Sequence, residues 1–289
     1  MKDKKDFYQK KFAQKVFVIK MGGEVIENEA KLKELLLDIK KIFDCGIKVV
    51  LVHGGGNQFD FLARQLGINT QKKDGRRITQ KEDLKVVKML YGGTLNLEIL
   101  SILKSIGLSG IRVSGLDGNL IKAEKRKVKD IDFGFVGDVL QVNPKIIQVL
   151  LENDFIPIVP PITADHTGQV LNTNADTMAM EIAISLKAEK LIMLTNVTGV
   201  LDQKQNLISV LSLPEVENLK KQKVITDGMK VKVDIATKAL QGGVKRVHIL
   251  DGTTEKSLLL EIFEEDGIGT LIVKDQTEKE RYLQEEVEV

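Results

Sequence analysis

Short apolar runs alternate along this chain with longer amphipathic stretches, and that rhythm predicts the fold class before any motif is considered. The run Val16 to Lys20 (VFVIK) reads as a buried strand. After Gly22 and Gly23, the residues Leu32, Leu35, Leu36, Ile39, Ile42 and Phe43 recur at the spacing of one helix face. Gly46 suits the end of that helix, and Val49 to Val52 reads as the next buried strand. Together they make a βαβ unit. Gly54 to Gly56 then lead into a helix through Phe61, Leu62 and Leu66 that stops near Gly67. From Gln80 to Ile106 the pattern is helical with a break at Gly92 and Gly93. Strands are expected around Ile111 to Ser114 and Val136 to Val142, with the charged stretch Lys122 to Asp132 as an exposed hairpin or loop between them. A helix near Lys145 to Glu152, a strand Ile156 to Pro160 and a polar loop Ala164 to Gln169 follow.

The second half repeats the alternation. Helices are expected near Asp176 to Lys187, Met229 to Leu240 and Ser257 to Phe263, interleaved with strands Leu191 to Thr195, Val247 to Leu250 and Leu271 to Val273. Such alternation predicts an α/β fold, a three-layer αβα sandwich on a mainly parallel open sheet, with ligands at the carboxyl ends of the strands. Two lobes are expected, residues 1–178 and 179–273, with 274–289 as a charged tail.

Composition narrows the function classes. The 289 residues include 43 basic and 41 acidic ones, so no global field draws the chain to nucleic acid or an anionic membrane. A single cysteine, Cys45, allows no internal disulfide, and the N-terminal MKDKKDFYQKK is charged where a signal peptide needs an apolar run. No stretch approaches the roughly 18 uninterrupted apolar residues of a membrane span. A cytoplasmic protein acting on a small molecule is the expectation.

Two strand ends run straight into glycines, Lys20-Met21-Gly22-Gly23 and His53-Gly54-Gly55-Gly56. Backbone N–H groups in such turns, reinforced by the following helix N-terminus, can cradle phosphate. Either pair alone reads more simply as a tight βα turn; two on adjacent strands favour phosphate. Neither GxxxxGK[ST] nor GxGxxG follows either strand, so the scheme differs from the common ones. Lys20 ends its strand where an ammonium could reach a phosphoryl group, although a strand-end lysine is ordinarily just solvated. Lys232, in Thr226-Asp227-Gly228-Met229-Lys230-Val231-Lys232, competes with Lys230 for a similar role. Asp176 follows Asn172-Thr173-Asn174-Ala175 and could either stabilise a helix N-terminus or orient cationic groups.

In combination, KMGG, HGGG, DGRRIT, LNTNAD, LTNVTGVLD, ITDGMKVKV, GGVKRVHILDG and LLLEIFEEDGIGTLIV resemble the amino acid kinase family, and within it the members that phosphorylate N-acetyl-L-glutamate. The resemblance covers residues 8–273 and implies an N-terminal lobe for the acyl amino acid and a C-terminal lobe for ATP with Mg2+. It assigns Lys20 and Lys232 to transition-state charge and Asp176 to holding both lysines. Gly23 and Gly55 would donate N–H groups to phosphoryl oxygens, with Gly22 and Gly54 shaping the crevice. Arg77 would grip the substrate α-carboxylate, with Arg76 the alternative, and Asn172 would touch the substrate. Thr195 to Leu201 would lie against the nucleotide. No protein metal ligand is implied.

His248, Glu261 and Gly269 match positions that resemble the arginine site of arginine-inhibited family members; the plainer readings are a solvated helix glutamate and a packed strand histidine. Asp6 to Lys15, with Tyr8 and Phe12, resemble the end of a helix that links dimers into hexamers, so a homodimer is expected and a hexamer is open. The competing readings are the same chemistry on an N-acyl-aminoadipate, a catalytically silent arginine or nucleotide sensor, and nucleic-acid binding through Lys122 to Lys129 and Lys220 to Lys223.

Overall fold

The computed structural model describes residues 9–73, 75–128, 130–264 and 267–287. Strand β1 (Val16–Met21) is followed by helix α1 (Glu29–Phe43), β2 (Lys48–His53) and α2 (Gly56–Gln65). A hairpin of β3 (Gln71–Lys73) and β4 (Arg76–Ile78) precedes a long helical run: α3 (Lys81–Met89), a π-helical turn Leu90–Thr94, and α4 (Leu95–Ser105). Next come β5 (Gly110–Arg112), β6 (Ile121–Lys125), β7 (Val136–Val142), α5 (Lys145–Glu152), β8 (Ile156–Val159), β9 (Ile162–Ala164) and β10 (Val170–Thr173). The remainder is α6 (Ala175–Ser185), β11 (Lys190–Thr195), β12 (Val210–Ser212), α7 (Leu213–Lys221), α8 (Asp227–Gln241), β13 (Arg246–Asp251), α9 (Ser257–Phe263), β14 (Thr270–Val273) and α10 (Gln276–Val287).

One eight-stranded sheet runs through the molecule in the order β12-β14-β13-β11-β1-β2-β8-β5, parallel except where β13 meets β14. Its central strands are mostly apolar because both faces are covered, with polar residues mainly at their ends. Phe17, Ile19 and Met21 of β1 enter one core with Leu36 and Ile39 of α1, while Val18 enters the other with Ala179 and Ile182 of α6 and Ala236 of α8. That division is the three-layer α/β sandwich, with a mostly parallel sheet at its centre. A smaller sheet, β6-β7-β10-β9, flanks it.

After β1 the chain moves to β2 on one side, whereas β11 leads to β13 on the other. The topological switch therefore lies between β1 and β11, where the carboxyl ends of the strands leave a crevice. Helix entry is well specified there: Asn174 Oδ1 accepts the Thr177 N–H at 2.9 Å and starts α6, as Asn28 does for α1.

Three segments differ from the periodic reading. At Gly92 and Gly93 the helix is not broken but widened into a π-helical turn, and the Arg112 guanidinium donates to the Gly92 carbonyl at 3.2 Å. The start of the charged stretch, Lys122 to Lys125, is a paired strand against β7. Residues 276–287 form a helix, with Lys279 Nζ 2.7 Å from a Glu215 carboxylate oxygen. The run Lys81–Ser105 is long and apolar enough in composition to cross a bilayer, yet its most apolar window is half buried in the fold, as a core helix would be. Phe12 is buried with its ring edge on Phe17; Tyr8 and its predecessors, Lys129, Asp74, Glu265 and Asp266 lie outside the described residues.

Candidate active site

β1 delivers Lys20 to the switch point, and α6 presents Asp176 from its first turn, so that Lys20 Nζ lies 2.9 Å from Asp176 Oδ1. Both glycine turns open beside this pair. The Gly22 N–H donates to the Leu194 carbonyl at 3.2 Å and the Gly54 N–H to the Met21 carbonyl at 2.9 Å, clipping each turn to the neighbouring strand. Gly55 caps α2 at φ 149°, and a Cβ there would come 2.6 Å from Leu95 Cδ1 and 2.9 Å from Tyr91 Cε1, so only glycine fits. At Gly23 a Cβ would sit 3.0 Å from the Gly56 nitrogen, which shows how closely the two turns approach. Among the described residues, the Gly55 and Gly56 N–H groups have no backbone partner.

These elements enclose an open cavity of about 470 Å³ lined by Lys20, Gly23, Gly54, Gly55, Gly56, Asn172 and Asp176, among others. Its remaining charges are basic: Lys72, Arg76, Arg77, Arg126 and Lys232. Asp176 is the one lining carboxylate among the described residues. Of the two α8 lysines, Lys232 is in the lining and Lys230 is not. No carboxylate lies within ion-pair distance of Lys232 among the described residues, so Asp176 holds Lys20 alone in this arrangement. Gly22 sits behind the lining and shapes the turn.

β4 carries Arg77, also in the lining, whose Nη2 donates to Asp60 Oδ1 at 2.6 Å while its guanidinium stacks 3.8 Å from the Phe59 ring centroid. Lys72 reaches the other Asp60 oxygen at 2.6 Å. Burial pushes the Asp60 carboxyl up, but Lys72 and Arg77 outweigh it and hold it below the usual range. Arg77 Nη1 is buried and has no hydrogen-bond partner among the described residues. A buried guanidinium nitrogen without an acceptor is costly and points to an anion supplied from outside. Asn172 Nδ2 donates to Thr79 Oγ1 at 3.0 Å beside it. Arg126, also in the lining, donates from Nε and Nη2 to Asp138 Oδ1 at 3.0 and 2.5 Å, and Nε reaches Oδ2 at 3.2 Å. His53 is fully buried, donates from Nδ1 to the Gly54 carbonyl at 2.9 Å, and does not line the cavity; burial pushes its pKa down.

The second group singled out from sequence is also assembled, away from this cavity. His248 Nδ1 is 2.7 Å from Glu261 Oε1, and Glu261 Oε2 accepts the Ile268 and Gly269 N–H groups at 2.9 and 2.8 Å. A Cβ on Gly269 would lie 2.6 Å from the Ile249 carbonyl oxygen, hence the glycine. Lys190 completes the chain, with Nζ 3.1 Å from His248 Nε2. Burial, with Arg246 nearby, pushes the Lys190 ammonium down to about 7, and burial beside Lys190 pushes His248 down to about 4. Burial pushes Glu261 up, but His248 and the two N–H groups outweigh it and keep the carboxyl below its ordinary value.

Periodicity and motif together missed Lys72, Gly56, Tyr91, Arg126 and Lys190. Gly56 was legible as part of the HGGG turn. The others carry no local signal, since each reaches its place only through tertiary pairing.

A family model described as amino acid kinase family matches residues 15–251. The chain belongs to the amino acid kinase family. The acetylglutamate kinase of Archaeoglobus fulgidus is 42% identical over 276 residues, covering 92% of this chain and 95% of that relative. The acetylglutamate kinase of Campylobacter curvus is 42% identical over 265 residues, covering 92% and 94%. Among solved structures, N-acetylglutamate synthase of Neisseria gonorrhoeae, complexed with coenzyme A and N-acetyl-glutamate, matches with a TM-score of 0.86 at 27% identity over 94% of this chain. This amino acid kinase spans only 62% of that synthase chain. A carbamate kinase from Giardia, with TM-score 0.64 at 18% identity, shares the fold.

Proposed function

We propose that this family member transfers the γ-phosphoryl group of ATP to the side-chain carboxylate of N-acetyl-L-glutamate, giving N-acetylglutamyl 5-phosphate and ADP, a step of arginine biosynthesis. The observation that carries the reading is the distribution of unpaired donors in the cavity. Glycine N–H groups and Lys20 share the cavity with Arg77, whose Nη1 has no partner among the described residues, an arrangement suited to a substrate with two anionic groups. The kinship with acetylglutamate kinases over nearly the whole chain supports the choice of acyl amino acid.

In this reading Arg77 holds the α-carboxylate, with Asn172 beside it, and the side-chain carboxylate is directed toward the glycine turns. A carboxylate oxygen attacks the γ-phosphorus; the bond from phosphorus to the β–γ bridging oxygen breaks, and its electron pair leaves with ADP. The nucleophile is already ionised, so no general base is needed, and positioning with charge neutralisation does the catalysis. Lys20 and Lys232, which line the same cavity, neutralise charge on the phosphoryl oxygens, while Gly23 and Gly55 offer N–H groups to them. Such fixed donors favour the transition state, in which charge spreads over those oxygens. Asp176 is engaged by Lys20, and no cluster of three or more His, Cys, Asp or Glu able to hold a metal occurs among the described residues. Mg2+ would therefore arrive with ATP, held by phosphates and water, and would neutralise charge on the β- and γ-phosphates. The two-lobe division at residue 178, the nucleotide against Thr195 to Leu201, a homodimer and a cytoplasmic site of action belong to the same proposal.

We also assign the Lys190, His248 and Glu261 cluster with Gly269 to arginine control. The gonococcal synthase, which shares this fold, has been solved with L-arginine as well. Added arginine should inhibit turnover, and Glu261→Gln should abolish the inhibition; unchanged kinetics across the arginine titration in the parent would remove the assignment.

The deciding experiment measures Mg-ATP-dependent ADP release with N-acetylglutamate, N-acetylaspartate, N-acetyl-aminoadipate and free glutamate, trapping acyl phosphate with hydroxylamine. Selective turnover of N-acetylglutamate is expected. Preference for the aminoadipate derivative would replace the substrate, and ATP binding without turnover would replace the enzyme by a sensor.

A further inference from the structure

The helical run from Lys81 to Ser105 carries one irregularity, the π-helical turn at Leu90–Thr94, and that turn faces the phosphate-binding glycines. A π-turn wedges an extra residue into a helix and turns a side chain off the regular face, a feature that recurs at functional sites. Here the side chain so displaced is Tyr91. It is 5% exposed, lines the active-site cavity, and its hydroxyl donates to the Gly55 carbonyl at 3.3 Å. The ring also closes the space where a Gly55 side chain would stand. The displaced turn is itself held in place: Asn96 Nδ2 donates to the Tyr91 carbonyl at 2.5 Å, and Arg112 takes the Gly92 carbonyl from the far side.

The Gly55 carbonyl and the Gly56 N–H belong to one trans peptide plane and point in opposite directions. That carbonyl already accepts the Phe59 N–H at 2.9 Å as the first bond of α2. A second donor on the same oxygen fixes the orientation of the plane, and through it the direction in which the Gly56 N–H emerges into the cavity. It also polarises the peptide, strengthening that N–H as a donor. Burial pushes the Tyr91 phenol far up, so it remains protonated and can serve only as the donor in this contact.

We infer that Tyr91 is a positioning residue for phosphoryl transfer, aiming the Gly55–Gly56 peptide at the transferring phosphoryl group through the Gly55 carbonyl. The inference rests on the kinase reading above. It predicts an effect on the transition state and not on either substrate, because the hydroxyl touches the loop and not the acceptor.

The test compares the parent with Tyr91→Phe, which deletes the hydroxyl and keeps the ring, and with Tyr91→Leu, which removes both. Steady-state kinetics with ATP and N-acetylglutamate and the affinity for ADP with aluminium fluoride are measured alongside thermal midpoints. Tyr91→Phe should lower kcat by roughly three- to tenfold, leave both KM values within about twofold, and weaken the aluminium fluoride complex in proportion to kcat. Tyr91→Leu should fall further. Equal kcat in the parent and Tyr91→Phe overturns the inference, as does a change confined to KM for N-acetylglutamate, which would make the hydroxyl a direct acceptor contact. A parent without kinase activity would instead fail the functional reading, whatever the variants do.

Discussion

The open cavity between the sheet edge and α8 and the buried group around His248 use similar residues in opposite ways. In the cavity, cations outnumber the lining carboxylates among the described residues, and Arg77 Nη1 has no partner among those residues. In the buried group, Lys190, His248 and Glu261 are joined in sequence and Glu261 is further satisfied by two backbone N–H groups. The cavity is thus incomplete without anions, while the buried group has adjusted its own protonation, with Lys190 down to about 7, to exist without a ligand. A site that turns over substrate can leave its solvated donors waiting at low cost, while the buried Arg77 Nη1 bears a cost that an incoming anion relieves. One closed to water must balance its charges internally, so any ligand it admits has to displace an existing contact.

The contrast breaks most visibly at Lys20. Removing its ammonium by Lys20→Ala should cost roughly 100- to 1,000-fold in kcat with little change in the thermal midpoint, since its partner Asp176 is partly solvated and can rehydrate. Lys232→Ala should fall in the same range with even less effect on stability, as it forms no ion pair among the described residues. A kcat within tenfold of the parent for both would show that the cavity's surplus charge is not aimed at the transition state.

A smaller effect is expected at the acceptor end. Arg77→Ala should raise KM for N-acetylglutamate by about 10- to 100-fold and leave KM for ATP unchanged, the range expected for one charge-assisted contact. Arg77→Lys should recover only part of this, because a lysine cannot both hold Asp60 and present a second nitrogen in the plane of a fork. If instead both KM values rise together, Arg77 supports the loop as a whole and the cavity has no separate acceptor end.

Much of this organisation is legible in the chain itself, for identifiable reasons. β1, β2, β11 and β13 lie inside a sheet covered on both faces, so their residues are predominantly apolar and stand out from the helices around them. Lys20, Asp176 and the glycine turns sit at the ends of those strands or the start of α6, where local pattern and site coincide. β3, β4, β9, β10 and β12 are three or four residues long, too short for a period, and the first two are largely polar. Arg126 and Lys72 look like surface charge until β7 and α2 bring Asp138 and Asp60 against them. Tyr91 lies within an unbroken helical pattern; the pair Gly92 and Gly93 signals that something happens there, but a break and a π-turn leave the same trace in sequence. Lys190 is the clearest failure of local reading, a lysine at a strand start that would ordinarily be solvated and is here 2% exposed.

Lys190 also provides the finest test of the contrast, through pH. The groups facing it are Arg246 and His248 from β13, Glu261 from α9, and Glu189 and Lys11. Its folded pKa is lowered to about 7, against an ordinary 10.5 in the unfolded chain. Below pH 7 the amine is charged in both states and the folded protein bears the full cost of burying it. Between about 7 and 10.5 the unfolded chain binds more protons, so this group's contribution to stability rises with pH, by at most about 1.4 kcal/mol per pH unit. Above that window the amine is neutral in both states and the cost is gone. Lys190→Met should therefore be more stable than the parent at pH 6, with the difference in denaturation free energy shrinking steadily toward pH 10. Parallel stability curves for parent and variant would mean that Lys190 keeps an ordinary pKa and draws its compensation from a site open to water, and the two regions would then differ in depth alone, not in how they satisfy charge.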